Sequence, residues 1–496
     1  MPRNGANPFD VSLWADSLGL LPVPALAGDP RPRFVMLNGP TGNFCLDLTE
    51  ERGDNRATAW SADVGHYVSV YRNDIEVQRW DALPSAGERF SIDSVVTKLP
   101  QFHNYLEKSQ PRYERSVVPH VIRVFRMLRS SLQLEAGLPA LLAFLAMLAA
   151  VTDECPRHQL NLERWHLPVE TEDVLSRIGE HDWDLLTHEL LYGRSNDLLT
   201  LQPKLLLRHA AGQLFQEAHY EAHIAPQLRL PGFAPAPAGV RGVKPTAVGV
   251  HFTPPSLARM VVEQAFRFMS PSKSSIHVLD PACGSGEFLR EALRQVRLSG
   301  FKGDVYLTGY DVSEPACIMA TFVLNWERNT DTYPVHVEVE TRDSLSERPW
   351  HSDIDVIVMN PPFVSYEQLT RDQLMKIHSC LGDLAHGRID LSAAFVWKAN
   401  QVVNPQGIVA TVIPASFLEA KATSALRTHL TEQSAIEFVA RLGSQVLFRE
   451  ALVDTGALVL KKGGRPEQHR TTAFWADHRT DSTVNGIRTL RRSIRT

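Results

Sequence analysis

Cysteine is sparse in this chain and never arranged for cross-linking. Cys45, Cys155, Cys283, Cys317 and Cys380 are scattered, with no Cys-x-x-Cys pair. That argues against a disulfide framework or a zinc site and for a reducing compartment. Long apolar runs are lacking too. The most apolar stretch, 138–151, is shorter than the roughly 20 residues that span a bilayer, so it reads as a buried helix. The opening Met-Pro-Arg-Asn-Gly-Ala-Asn holds no apolar signal core, and a cytoplasmic protein without a membrane segment is expected. Basic excess is absent as well. Lys and Arg number 51 against 56 Asp and Glu, and the net charge is −5. A uniformly basic surface is excluded, but a local basic cleft is not.

What is present is a chain of 496 residues, long enough for several domains with proper cores. Its 44% hydrophobic and 22% charged content is ordinary for a globular protein. Residues 1–102 read as a β-rich domain, with alternating runs in 33–48 and 57–80 between turn signals. Residues 103–227 read as a helical domain, with helical spacing in 117–134, 138–152, 171–178 and 198–220. The stretch 228–250 is rich in Pro, Gly and Ala, which is linker composition.

From 251 to 465 the pattern alternates. Helices are expected over 254–268, 287–298, 314–327, 391–403 and 420–431. Strands are expected near 276–280, 304–311, 335–340, 354–359, 407–413, 436–441 and 454–461. Such alternation with near-continuous apolar strands implies an α/β fold, a mostly parallel, doubly wound, Rossmann-like sheet. Residues 466–496 hold Arg488, Arg491, Arg492 and Arg495 and read as a basic tail or the start of a recognition domain. A strand at 471–475 followed by a helix is expected there.

Two strings carry chemistry. Asn360-Pro361-Pro362-Phe363 closes the strand at 354–359. The exocyclic amine of adenine or cytosine is a poor nucleophile because its lone pair is delocalised into the ring. Two acceptors for its hydrogens let the nitrogen pyramidalise and aim that lone pair at a methyl group. The Asn360 side-chain oxygen and the Pro361 carbonyl are suited to this, and the prolines stiffen the turn. Phe363 offers a flat face to a base taken out of its stack. The bland alternative is an ordinary strand-end turn.

The second string is Asp280-Pro281-Ala282-Cys283-Gly284-Ser285-Gly286, between a strand and a helix. Doubly wound folds bind ligands at this position. Asp311 ends the next strand, where a carboxylate accepts ribose hydroxyls, and this would serve NAD or S-adenosylmethionine equally. The loop lacks the spaced three-glycine form of dinucleotide sites. A second acid, Asp343, follows the third strand, where it could accept an adenine amine. With the Asn-Pro-Pro-Phe turn downstream, the expected reaction is methyl transfer from S-adenosylmethionine, which needs no metal. Thr253, with Pro254 after it, also reads as a helix cap.

In these motifs the chain resembles the gamma class of DNA adenine-N6 methyltransferases, including those of Type I and Type IIG restriction-modification or related phage-defence systems. The resemblance covers about residues 249–462, half of the chain. It implies that Phe252 and Thr253 of the His-Phe-Thr-Pro segment contact the cofactor. It extends that role to Asp280, Ala282, Cys283, Gly284, Gly286, Asp311, Asp343, Asn360 and Asp390. It implies catalysis by Asn360, Pro361, Pro362 and Phe363, with Phe448 beside Phe363 against the flipped base. Duplex DNA is the implied substrate, and a restriction subunit is a candidate partner.

Rival readings keep the chemistry on ribosomal RNA guanine or a release-factor glutamine, or make the chain a catalytically silent DNA-binding or assembly subunit. A fused nuclease would need an Asp with a Glu-x-Lys. The nearest pattern is Asp63 with Glu76-Val77-Gln78, and Gln101 with Tyr105 is a second weak match. Residues 461–496 are too few for a target-recognition domain. A specificity subunit or a C-terminal recognition domain is therefore expected to read the DNA.

Overall fold

The computed structural model describes residues 7–37, 43–132, 137–194, 198–224, 253–269, 274–328, 333–442, 454–464 and 469–475. They fall into two units, one within Met1–Gly232 and one within Phe233–Gly486.

In the first unit, α1 (Val11–Leu18) starts at Asp10, whose carboxylate accepts the Ser12 N–H, and stops at Gly19 with φ 65°. A six-stranded sheet follows in sequential order: β1 (Leu21–Pro24), β2 (Arg33–Leu37), β3 (Phe44–Asp47), β4 (His66–Val70), β5 (Asp74–Arg79) and β6 (Glu88–Ser91). Only β3 and β4 pair in parallel, and α2 (Arg56–Ser61) makes their crossover. Helices α3 (Ile92–Val96) and α4 (Leu99–Lys108) come next. Trp14 and Leu18 of α1 and Phe102 and Leu106 of α4 bury against Phe44, Val68 and Ile75. Helix α4 runs across position 102 because it shares the core of the sheet.

The helical region holds α5 (Val117–Ser131), α6 (Gly137–Asp153), α7 (Glu170–Ser176) and α8 (Glu180–Leu191). Residues 140–152 of α6 are all buried, as an unbroken apolar sequence requires. The helix expected over 198–220 begins later. Leu198–Thr200 forms β8, antiparallel to β7 (Tyr192–Arg194). Helix α9 (Pro203–Leu205) starts at a proline, which disfavours helical geometry in the residue before it. A π turn, Leu206–Ala210, leads into α10 (Ala211–His219). Arg208 in that turn donates to the Pro24 carbonyl at 3.1 Å, and His209 Nε2 lies 2.8 Å from the Ala25 carbonyl.

The second unit is built on an eight-stranded sheet. Helix α11 (Pro255–Arg267) precedes β9 (Ser275–Asp280), α12 (Glu287–Leu298), β10 (Asp304–Asp311), α13 (Glu314–Arg328), β11 (Val335–Thr341) and β12 (Val356–Met359). Then come α14 (Arg371–Leu381), α15 (Leu391–Val402), β13 (Ile408–Pro414), α16 (Ala415–Glu419), α17 (Ser424–Gln433), β14 (Ser434–Leu442), β15 (Thr455–Lys462) and β16 (Thr472–Trp475). The strand order is β11-β10-β9-β12-β13-β15-β14-β16. The first five run parallel, and β15 is antiparallel to both of its neighbours.

Every residue of β12 and β13 is buried, which is why these strands read as unbroken apolar runs. The helix expected over 420–431 starts later, at Ser424, because Ala420 is extended at ψ 142° and a 3₁₀ turn, Lys421–Thr423, comes before α17. β16 pairs with β14, so the sheet reaches residue 475, past the boundary expected at 465. The chain leaves β9 in one direction through β10 to β11, then returns to the other side of β9 with β12. That reversal places a crevice at the carboxyl ends of β9 and β12.

Candidate active site

Asp280 ends β9 and is fully buried. Its Oδ1 accepts the Ala282 N–H at 3.0 Å, while Oδ2 has no hydrogen-bond partner among the described residues. Burial pushes its carboxyl well above the usual range, and the nearby Asp311 charge adds to this. A cation brought beside it would restore its charge.

The loop glycines serve two purposes. Gly284 has φ 52°, and a Cβ built there would meet no atom within 4 Å, so the backbone faces open space. Gly286 has φ 84°, and its Cβ would lie 3.2 Å from that of Ala320, so its absence lets α12 approach α13. The first fits close approach by a ligand, and the second is a packing requirement.

Asp311 ends β10. Its Oδ2 accepts the Gly284 N–H at 2.9 Å and its Oδ1 the Ser313 N–H at 2.8 Å, fixing the glycine loop to the next strand. Burial raises its carboxyl, and those backbone N–H groups oppose the rise. Each oxygen keeps a further lone pair, the one the expected ribose contact would use. Replacing Asp311 with alanine removes a charged acceptor worth about 1.5–3 kcal/mol. S-adenosylmethionine affinity should drop roughly ten- to a hundredfold in a calorimetric titration. An unchanged affinity would place the ribose elsewhere.

Asp343 follows β11. Its Oδ1 accepts the Leu345 N–H at 2.8 Å, and its Oδ2 accepts from Lys376 Nζ at 2.8 Å. Burial alone would raise this carboxyl, but the Lys376 ammonium and the Leu345 N–H outweigh it and hold it below the ordinary value. The neighbouring Ser344 Oγ donates to the Pro281 carbonyl at 2.5 Å, and the Ser344 carbonyl accepts Lys398 Nζ at 2.7 Å. Loops from three strand ends are thus tied together.

Asn360 and Pro361 are buried at the end of β12, and Pro362 and Phe363 are partly exposed. The Val364 carbonyl accepts the Leu391 N–H at 3.3 Å, which draws the turn toward α15. Asp390 is the cap of α15, accepting the Ala393 N–H and the Ser392 hydroxyl. Thr253 is buried but does not cap α11. Pro254 takes the cap position, since Pro255 after it holds it extended, and Pro255 begins the helix. Phe252 and Phe448 lie outside the described residues.

Sequence reasoning missed Ser344, Lys376 and Lys398. Lys376 lies 33 positions from its partner Asp343, so no local spacing could name it. The weak nuclease pattern has other uses. Gln78 accepts the Asn55 N–H and donates to the Gly53 carbonyl, both at 2.9 Å, and burial pushes Asp63 up to about 7. Among the described residues, Glu338, Glu340 and His351 gather ligand atoms within 4.8 Å of one another, but Arg342 and Arg348 already neutralise Glu340.

A family model described as N-6 DNA Methylase matches residues 242–492. The Type II methyltransferase M.BanIII of Aneurinibacillus aneurinilyticus is 26% identical over 238 residues, covering 45% of this chain and 40% of that protein. The Type II methyltransferase M.VspI of Vibrio sp. (strain 343) is 27% identical over 228 residues, covering 45% of this chain and 50% of that protein. The chain thus spans half or less of the length of these relatives. Among solved structures, the cryoEM structure of a DrdV-DNA complex aligns with a TM-score of 0.51 at 11% identity, covering 96% of this chain and 55% of that one. The likeness is one of fold.

Proposed function

Since the chain belongs to the N-6 DNA methylase family, we propose that it methylates the N6 amine of adenine in duplex DNA, using S-adenosylmethionine, within a restriction-modification or related phage-defence system. The observation that carries this reading is the Asn360–Phe363 turn at the end of β12, next to the Asp280 loop of β9.

The residues fit the cofactor in three ways. Gly284 leaves open space, Asp280 Oδ2 is a buried acceptor suited to a cation, and Asp311 and Asp343 are acceptors at successive strand ends. Bound S-adenosylmethionine supplies a methyl group already activated on a sulfonium. The chain positions and polarises the target. Asn360 and the Pro361 carbonyl accept the two amine hydrogens, and these bonds strengthen as positive charge develops on nitrogen. Phe363 and Phe448 hold the base, which has to leave the duplex to reach them. In-line placement of amine and methyl contributes several kcal/mol more.

The test is incorporation of labelled methyl into duplex DNA, followed by nucleoside analysis. N6-methyladenine is expected. Label found only in RNA or in protein glutamine would defeat the reading.

We place sequence recognition in a specificity subunit or a C-terminal recognition domain, and cleavage in a restriction subunit. In support, the Type I restriction enzyme MjaVII methylase subunit of Methanocaldococcus jannaschii is 32% identical over 117 residues. A cytoplasmic location follows from the proposed substrate. No helix among the described residues is long and apolar enough to cross a membrane.

On this view the chain alone binds duplex DNA weakly, through phosphate contacts. Its affinity should fall steeply with salt and hardly distinguish one sequence from another. Footprinting that shows salt-resistant protection of one site would move recognition into this chain.

A further inference from the structure

We propose that Lys376 is a positioning residue of the cofactor site, fixing the Asp343 carboxylate in the orientation that accepts the adenine amine of S-adenosylmethionine. The proposal rests on the reading that the cofactor lies at the carboxyl ends of β9 to β12.

Asp343 stands in the stretch between β11 and β12, which contains no helix. Its side chain is 38% exposed. An aspartate so placed would ordinarily sample several rotamers. Here it is held at both oxygens, by the Leu345 N–H and by the Lys376 ammonium. Two donors on different oxygens fix the plane of the carboxylate. Each oxygen keeps a further lone pair, and the exposed side leaves an acceptor face open.

Lys376 is itself held. Its helix α14 opens with a reciprocal cap, in which Thr370 accepts the Gln373 N–H and Gln373 accepts the Thr370 N–H. Ile377 and Leu381 bury in one apolar cluster with Ile389, Leu391 and Phe395, and Ala282 of the glycine loop packs against the same cluster. Asp372, one turn earlier, also pairs with the Lys376 ammonium. The ammonium is therefore presented to Asp343 from a rigid helix. That helix is reached directly from the Asn360–Phe363 turn. One segment thus serves the target amine at its start and the cofactor's adenine at Lys376.

The test compares S-adenosylhomocysteine with S-inosylhomocysteine, in which a carbonyl replaces the amine, by calorimetry on the full chain. The wild-type chain should prefer the adenosyl ligand by about tenfold, the scale of one charge-assisted hydrogen bond. Lys376→Met should erase that preference by weakening the adenosyl ligand alone. It should raise KM for S-adenosylmethionine and leave kcat within about twofold, as expected for lost ground-state binding. Lys376→Arg should restore most of the preference at an unchanged melting temperature. An undiminished preference in Lys376→Met overturns the proposal, and so does equal weakening of both ligands. Equal binding of both by the wild-type chain overturns it too, by removing Asp343 from the amine. Binding of neither by the wild-type chain instead defeats the cofactor reading itself.

Discussion

Asn360→Ala is expected to reduce methyl transfer by about a hundred- to a thousandfold or more, the scale of removing one preorganised electrostatic contact at a reacting atom. S-adenosylmethionine binding should stay within about twofold, because on the proposed reading the Asn360 side-chain oxygen serves the target amine while Asp280, Asp311 and the glycine loop hold the cofactor. The site is rigid enough for a clean result. Asn360 directly follows β12, whose four residues are buried between β9 and β13, so the backbone is held against shifting to recruit a substitute acceptor. Alanine fits that backbone, so a folded variant is expected. Asn360→Asp is the informative companion. It retains an oxygen at the same place and should keep more activity than alanine. It also adds a carboxylate near Asp280, which burial already disfavours as an anion. Single-turnover kinetics beside calorimetry separate the steps. Wild-type turnover in Asn360→Ala would remove this residue from the chemistry.

The second unit was far more legible in sequence than the first, for physical reasons. Parallel strands covered on both faces must be continuously apolar, and helices between them must be amphipathic. The alternation from 254 to 461 therefore showed directly. The candidate site could be proposed from sequence because small residues, prolines and strand-end acids stood in a fixed order. What stayed hidden was what tertiary contact decides. Helix α14 has a clear cap in Thr370 and Gln373, but only Ile377 and Leu381 are buried, which is a thin apolar signal. Helix α1 is short, and its Asp10 start and Gly19 stop were the available signs. The strand at Leu198–Thr200 looked helical because leucine suits both states, and only pairing with Tyr192–Arg194 settles it. Thr253 looked like a cap, but consecutive prolines shifted the helix start by one residue.

Helix α12 defied its sequence in another way, and this leads to the largest stability effect expected. Its charged residues would ordinarily face water. Instead Glu287, Arg290, Glu291 and Arg294 are all buried. Glu291 is fully buried, lies 3.3 Å from the Arg259 guanidinium of α11 and also pairs with Arg294. Removing one member of a buried ionic group leaves its partners charged where water cannot reach them, which costs about 3–5 kcal/mol. Glu291→Ala should therefore melt many degrees below the wild-type chain. By contrast, Glu367 pairs with Arg388 at an exposed position, and Glu367→Ala should cost less than about 1 kcal/mol. Acidity supplies a further check. Burial would raise the Glu291 carboxyl, but the Arg294, Arg259 and Arg290 charges outweigh it and hold it below the ordinary value of 4.5. A carboxyl held low in the folded state stabilises above that value and loses its contribution as pH falls through its folded pKa. The gap in melting temperature between wild type and Glu291→Ala should be full near neutrality and close only under strongly acidic conditions. Exchanging Arg259, Glu291 and Arg294 together for apolar residues of similar volume should cost less than Glu291→Ala alone, because the two arginines that pair with Glu291 leave with it. A single variant as stable as wild type at neutral pH would show that the arginines are satisfied without Glu291.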